Sequence, residues 1–219
     1  MSGIQVKICG LTLPEQAEKC FAIGADAVGV VFFERSPRNV SHVQAAEIVD
    51  AAQGRPVVAV TVNMEFDALC EINERCGIEF VQLHGNESPE FAARLIERGM
   101  RIVKKISAEE AGRDDIIELY KGAAFIVESG EGPLPGGNGI GWNWASSRCL
   151  SGRVPFLLAG GITVENLSDA VYAAKPDGVD LSSALESAPG IKDMDKTVRF
   201  MERLNIERER TGGQTKRIF

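Results

Sequence analysis

Short runs rich in Val, Ile, Phe and Ala recur along the chain. They alternate with segments in which apolar side chains return every three or four positions. The runs are Gln5 to Cys9, Ala27 to Phe33, Val57 to Asn63, Phe80 to His84, Arg101 to Ile106, Ala124 to Glu128, Phe156 to Ala159 and Gly178 to Leu181. Most are apolar almost throughout, the pattern of parallel strands covered on both faces, whereas "AAEIVDAA" and "EFAARLIERG" between them have one apolar and one charged face, as helices do. Capping boxes are expected at "TLPE" from Thr12 and "SHVQ" from Ser41, a Pro-started helix at "SPE" from Ser88, and an N-cap at Thr163.

Eight strand–helix units predict an α/β fold of the (β/α)8 TIM-barrel type, with a doubly wound open sheet as the competing arrangement. No linker or low-complexity run divides the chain. A single barrel domain over residues 1–206 is therefore expected, followed by a frayed polar tail, "ERERTGGQTKRIF", over 207–219.

Composition narrows the function. Of 219 residues, 44% are hydrophobic and 25% charged, with a net charge of −7 that argues against an extended nucleic-acid surface. No apolar stretch is long enough to span a membrane and no signal-peptide pattern opens the chain, so a cytoplasmic protein with no membrane partner is expected. The five cysteines (Cys9, Cys20, Cys70, Cys76, Cys149) lack a C-x-x-C pair, and His42 and His84 are the two histidines, which disfavours both a disulfide framework and a zinc site.

In such a barrel the reacting groups stand at the C-terminal ends of strands. There the chain places Cys9, the "FERSPR" loop with Arg35 and Arg38, Asn63, His84, Glu128, the "AGG" of Ala159 to Gly161, and "DLSSA" from Asp180 to Ala184. Gly160 and Gly161, with Ser182 and Ser183 of the next unit, could turn backbone N–H groups on a phosphate, or simply form two tight turns. Cys9 could be a small buried hydrophobe or a base whose thiol pKa is lowered by Lys7 on the same strand face. Cys20, Cys70, Cys76 and Cys149 fall in helical patterns and read as packing. A loop arginine can pair with a substrate carboxylate or lie in solvent. His84, before Gly85, can face a ligand across a sharp turn or satisfy a neighbouring backbone group. Glu128 opens a loop with six glycines, "ESGEGPLPGGNGIG", long enough to cover a strand-end general acid, and Glu131 within it is the fallback acid.

Taken together, "KICGLT", "GVVFFERSPRNVS", "VNM", "VQLHG", "FIVES", "GGNG", "LAGGITVENL" and "GVDLSSALESAPGIKD" resemble the phosphoribosylanthranilate isomerases of tryptophan biosynthesis, in that family's order and spacing from Lys7 to Asp193. The resemblance implies a barrel with no metal or organic cofactor. It implies an Amadori rearrangement of a phosphosugar substrate, with Cys9 as general base and Glu128 in place of the family's aspartate as general acid. It further implies Arg38 on the anthranilate carboxylate, Lys7, His84 and Asp180 at the substrate, and Gly160, Gly161, Ser182, Ser183 and Ala184 at the phosphate. Oligomeric state is left open between monomer and homodimer.

The chain departs from the family at "IVES" for "LLDS", "SSALE" for "SSGVE" and "WNW" for "FDW", where Asn143 replaces an acid. Glu128 is a methylene longer than aspartate, and misplacing a reacting group by about 1 Å costs on the order of 10²-fold in rate. Ala184 adds a methyl where glycine allows positive φ or close backbone approach. These departures leave room for an isomerase of another phosphosugar, or for a phosphosugar-binding barrel with little activity.

Overall fold

Eight parallel strands close on themselves in sequence order, β1 (Gln5–Cys9), β2 (Ala27–Phe32), β3 (Val57–Thr61), β4 (Phe80–Leu83), β5 (Arg101–Ser107), β6 (Ala124–Glu128), β7 (Phe156–Leu158) and β8 (Gly178–Leu181), with β8 pairing back onto β1. The competing open sheet is excluded by that last pairing. This is a computed structural model, and it describes residues 3–129, 142–212 and 215–219. The helices α1 (Pro14–Ala22), α2 (His42–Ala52), α3 (Phe66–Cys76), α4 (Pro89–Glu97), α5 (Ala108–Ala111), α6 (Asp114–Leu119) and α7 (Leu167–Ala174) lie between strands. After β8 come a short 3-10 turn (Ser183–Leu185), a hairpin of β9 (Glu186–Ala188) and β10 (Ile191–Lys192), and α8 (Met194–Thr211). The hairpin has no counterpart in the apolar pattern of the sequence.

Strands β2 to β7 feed two cores. Residues such as Val6, Ile8, Val28, Val30, Ala59 and Val81 pack outward against the helices, while Ala27, Val58, Phe80, Val103, Ile126 and Leu157 fill the barrel. Successive strand residues serve opposite faces, so both must be apolar, which is why the runs look continuous. Two of the expected helix starts hold. Ser41 and Gln44 form a reciprocal capping box, and Ser88 accepts from Phe91 N ahead of Pro89.

The other two starts are corrected. Leu13, not Thr12, precedes α1, because the Thr12 hydroxyl instead donates to Gly190 O across to the hairpin at 2.8 Å. Asn166, not Thr163, precedes α7, and its side chain accepts from Thr163 N and donates to Gly161 O. Strands β2, β3, β4 and β7 stop one or two residues short of the expected ends. Asn63, for instance, lies in the left-handed region at φ 50°.

The expected frayed tail is also corrected. Helix α8 continues through 207 to Thr211, and Ile218 and Phe219 are buried as the floor of the barrel. Their backbone N–H groups donate to Gln5 Oε1, Gln5 Nε2 returns a bond to Lys216 O, Asp177 accepts from Lys216 N, and the Phe219 ring lies against Phe80 at 5.6 Å. The polar composition of 207–217 hides two apolar residues whose burial outweighs the entropy of ordering the segment. Burial of an Ile or Phe side chain is worth about 1.5–3 kcal/mol, so deleting Ile218 and Phe219 should lower unfolding stability by roughly 3–6 kcal/mol. A urea midpoint unchanged by that deletion would show that the floor contributes nothing.

Candidate active site

At the C-terminal end of β1 stands Cys9, buried among its neighbours. Lys7, two residues earlier and fully buried, donates to Asp180 Oδ1 at 2.8 Å; the two residues are in register across the β1–β8 seam. Burial alone would drive Lys7 toward the neutral amine, but the charge of Asp180 and the Cys9 sulfur outweigh it and hold its pKa above the ordinary lysine range. Burial also pushes Asp180 up against the pull of Lys7; with the lysine raised and the contact at 2.8 Å, the proton of the pair sits on nitrogen. Lys7 thus stands beneath Cys9, fully buried and paired with Asp180.

The expectation of a lowered Cys9 pKa is overturned as well. Burial raises it, and the opposing charges of Lys7 and Lys192 do not compensate. A thiolate at this depth loses more hydration than two cations, one of them already committed to Asp180, return. Gly29 is the residue beside Cys9 in β2, and a methyl there would lie 2.8 Å from Sγ and 3.1 Å from Lys7 Cε. Glycine at 29 is thus what lets the thiol and the lysine share the barrel interior.

Glu128 ends β6 and is buried. His84 Nε2 lies 3.0 Å from its Oε1, and Gln82 Nε2 lies 2.7 Å from His84 Nδ1. With the amide nitrogen assigned to Nδ1, the ring proton sits on Nε2 and His84 donates to Glu128. One oxygen of the carboxyl group is so held. His84 and Glu128 also act electrostatically on Asp180, which places all three in one mouth. Glu131 and residues 130–141 lie outside the described residues.

The close approach expected at Gly85 is made by a neighbouring side chain. Asn63 occupies the space a Cβ would need. The Glu87 carboxylate accepts from Asn63 N, Gly85 N and Lys104 Nζ, all within 3.1 Å, so this loop is strapped down under His84.

Of the two arginines after β2, Arg35 is exposed and Arg38 is buried. Arg38 runs over Gly10 (φ 83°), whose missing side chain admits it, since a methyl there would meet Arg38 Cδ at 2.5 Å. Its Nε and Nη2 donate to the two oxygens of Glu186 at 2.9 and 2.7 Å, and Lys192 Nζ donates to Glu186 Oε1 at 2.7 Å. Burial pulls Lys192 below its usual range against the charge of Glu186. Glu186 and Lys192 belong to the hairpin and escaped the sequence reading.

Gly160 and Gly161 both have positive φ, 85° and 69°, as tight turns require. The carbonyls of Ala159, Gly160 and Gly161 accept from Trp142 Nε1, Trp144 Nε1 and Asn166 Nδ2. A trans peptide points its N–H opposite to its C=O, so the N–H groups of Gly160, Gly161 and Ile162 face away from those donors. They have no acceptor among the described residues, nor do those of Ser183 and Ala184 at the start of the 3-10 turn. Successive free N–H groups of this kind make an anion-binding concavity. Helix α7 starts too late to contribute its N-terminus. Ala184 is exposed and has no positive φ, so its methyl costs the backbone nothing. Of the remaining cysteines, Cys20 and Cys76 are buried and Cys70 is partly so, whereas Cys149 is exposed rather than packed.

Fold and mouth define the class: a (β/α)8 barrel enzyme equipped for acid–base work beside an anion site. The family model for N-(5'-phosphoribosyl)anthranilate (PRA) isomerase matches residues 6–203, and the chain belongs to this family. It is 44% identical over 201 residues to the N-(5'-phosphoribosyl)anthranilate isomerase of Desulfatibacillum aliphaticivorans, covering 91% of this chain and 92% of that protein. The crystal structure of phosphoribosyl anthranilate isomerase from Thermus thermophilus superposes with a TM-score of 0.84 at 30% identity over 94% of this chain and all of that one. A phosphoribosyl anthranilate isomerase in complex with reduced 1-(o-carboxyphenylamino)-1-deoxyribulose 5-phosphate superposes with a TM-score of 0.79 at 28% identity, covering 92% of this chain and 98% of that one.

Two outcomes follow from the geometry around the thiol. Iodoacetamide should label Cys149 first, with Cys9 reacting only as pH rises beyond the ordinary thiol range, because a raised pKa keeps the unreactive S–H form to higher pH. Mass mapping of labelled peptides checks this, and early labelling of Cys9 at neutral pH would refute it. Gly29→Ala should displace Sγ and lower turnover about 10-fold or more without unfolding the barrel, read from kinetics beside a melting curve.

Proposed function

We propose that the mouth just described carries out the family's reaction through Cys9 and Glu128. The chain is a phosphoribosylanthranilate isomerase, an aldose–ketose isomerase of tryptophan biosynthesis, and the chain-long family match carries that assignment. An isomerase of another phosphosugar and a mere binding barrel are not favoured. The departures at Glu128 and Ala184 are accommodated by the His84 contact and by the solvent-facing methyl.

In this reading Glu128 protonates the furanose ring oxygen of N-(5-phosphoribosyl)anthranilate. The C1–O bond breaks and the nitrogen lone pair forms the C1=N iminium. The Cys9 thiolate removes the proton from C2, and that electron pair forms the C1=C2 bond while the C=N pair returns to nitrogen. The enolamine then tautomerises to the ketone, 1-(2-carboxyphenylamino)-1-deoxyribulose 5-phosphate. Every step is a proton transfer or a shift of an electron pair within the substrate, so the chemistry asks for no cofactor.

Burial disfavours the Cys9 thiolate in the free enzyme, whereas an iminium cation beside it favours the charged form. His84 steers the Glu128 carboxyl, Asp180 lines the sugar side, Arg38 meets the anthranilate carboxylate, and the N–H groups of Gly160, Gly161, Ser183 and Ala184 with the Ser182 hydroxyl hold the phosphate. Five free thiols accord with a reducing, cytoplasmic setting.

The test is loss of anthranilate-type fluorescence from freshly prepared substrate. Cys9→Ala should lose about 10²–10⁴-fold and Cys9→Ser should not recover it. Glu128→Gln should be inactive while Glu128→Asp retains activity. Because the Cys9 pKa is raised, kcat/KM should still climb between neutral and mildly alkaline pH. Wild-type rates in Cys9→Ala, or a Glu128→Gln enzyme as fast as its parent, would remove those residues from the mechanism.

A further inference from the structure

A guanidinium offers a carboxylate two bidentate edges, Nε with Nη2 and Nη1 with Nη2. In Arg38 the first edge is taken by Glu186, at 2.9 and 2.7 Å. Two of five N–H groups are used, and the other three have no acceptor among the described residues. Glu186 is itself immobilised. Its Oε1 also accepts from Lys192 Nζ at 2.7 Å and Gly190 N at 3.3 Å, and its backbone carbonyl accepts from Lys196 Nζ at 2.7 Å. Lys192 Nζ further donates to Ser182 O at 3.2 Å, in the segment that supplies the phosphate-facing N–H groups.

From this arrangement we infer that Glu186 and Lys192 are positioning residues for substrate recognition: Glu186 fixes Arg38 so that the Nη1/Nη2 edge meets the substrate's aromatic carboxylate, and Lys192 keeps the cluster attractive to that anion. The inference rests on the assignment of the carboxylate to Arg38. An isolated Arg–Glu pair would be neutral and would hold a second carboxylate poorly; two cations against one anion leave a net positive charge. A long arginine side chain without its partner would sample many rotamers over Gly10, whereas the clamp presents one planar edge. Since Lys192 also grips Ser182 O, the carboxylate site and the phosphate site share one support.

The experiment uses the full chain and two probes, reduced 1-(o-carboxyphenylamino)-1-deoxyribulose 5-phosphate and the same compound lacking the carboxyl group, titrated calorimetrically. Glu186→Gln should bind the carboxylated probe about 10-fold more weakly and the other within about 2-fold of the parent. Equal weakening of both probes would reduce Glu186 to a staple of the hairpin, and no weakening of either would likewise overturn the inference. Arg38→Met is the separate check on the underlying assignment, which fails if that variant binds both probes as the parent does. A crystal structure of the parent protein with the carboxylated probe tests the same point without substitution. The carboxylate should lie on Nη1 and Nη2 with Glu186 still on Nε and Nη2; a probe that displaces Glu186 would overturn the inference.

Discussion

The Lys7–Asp180 ion pair is the constraint on which the rest of the mouth depends. It crosses the seam between the first and last strands, so it helps to close the barrel, and it lies directly below the thiol. Removing one partner of a buried pair leaves an uncompensated charge, which costs on the order of 3–5 kcal/mol. Gly29 leaves room for the lysine and for the thiol beside it, and the Glu128 carboxyl group acts electrostatically on Asp180 from across the mouth. A hydrophobic pair at 7 and 180 would also close a barrel, but it would leave the thiol over an apolar floor with no cation beneath.

Charges in this mouth are paired before any substrate arrives. Arg38 is held by Glu186, Glu186 by Lys192, Glu87 by Lys104, and one oxygen of Glu128 by His84. Where a pairing uses only part of a side chain's hydrogen-bonding capacity, as at Arg38, it fixes the direction of the remainder. The same economy governs the glycine loop after β7, where fixing the carbonyls fixes the N–H groups. Sites prearranged in this way spend little binding energy on ordering side chains.

The alternation of apolar runs and amphipathic segments made the barrel legible, because a sheet covered on both faces has few other solutions. Strand ends were legible too, and Cys9, Arg38, His84, Glu128 and Asp180 all meet at one mouth. Pairings were not. Which cation serves which anion depends on three-dimensional neighbours, so the pairing of Lys7 with Asp180 could not be read from the chain, and a thiol pKa lowered by Lys7 gave way once burial acted on the sulfur. Glu186 and Lys192 went unnoticed because the hairpin that carries them is only a few residues long. The C-terminal segment misled for a related reason: average polarity says nothing about two apolar residues at its end. Two of the four expected caps, at Ser41 and Ser88, held, but the one at Thr12 behaved likewise. Thr12 has a capping sequence, yet its hydroxyl found a better-placed acceptor in Gly190.

The carbonyl ties of the glycine loop after β7 have an optical consequence. The chain contains two tryptophans, Trp142 and Trp144, and both indoles donate to that loop. Tryptophan emission from this protein therefore originates at one spot, beside the free N–H groups of the loop. Indole emission is sensitive to the polarity around the ring and to the hydrogen bond at its nitrogen. The anthranilyl group absorbs where indole emits, so a bound ligand becomes an energy acceptor. The protein thus carries a native reporter on the loop after β7, with no background from tryptophans elsewhere in the barrel.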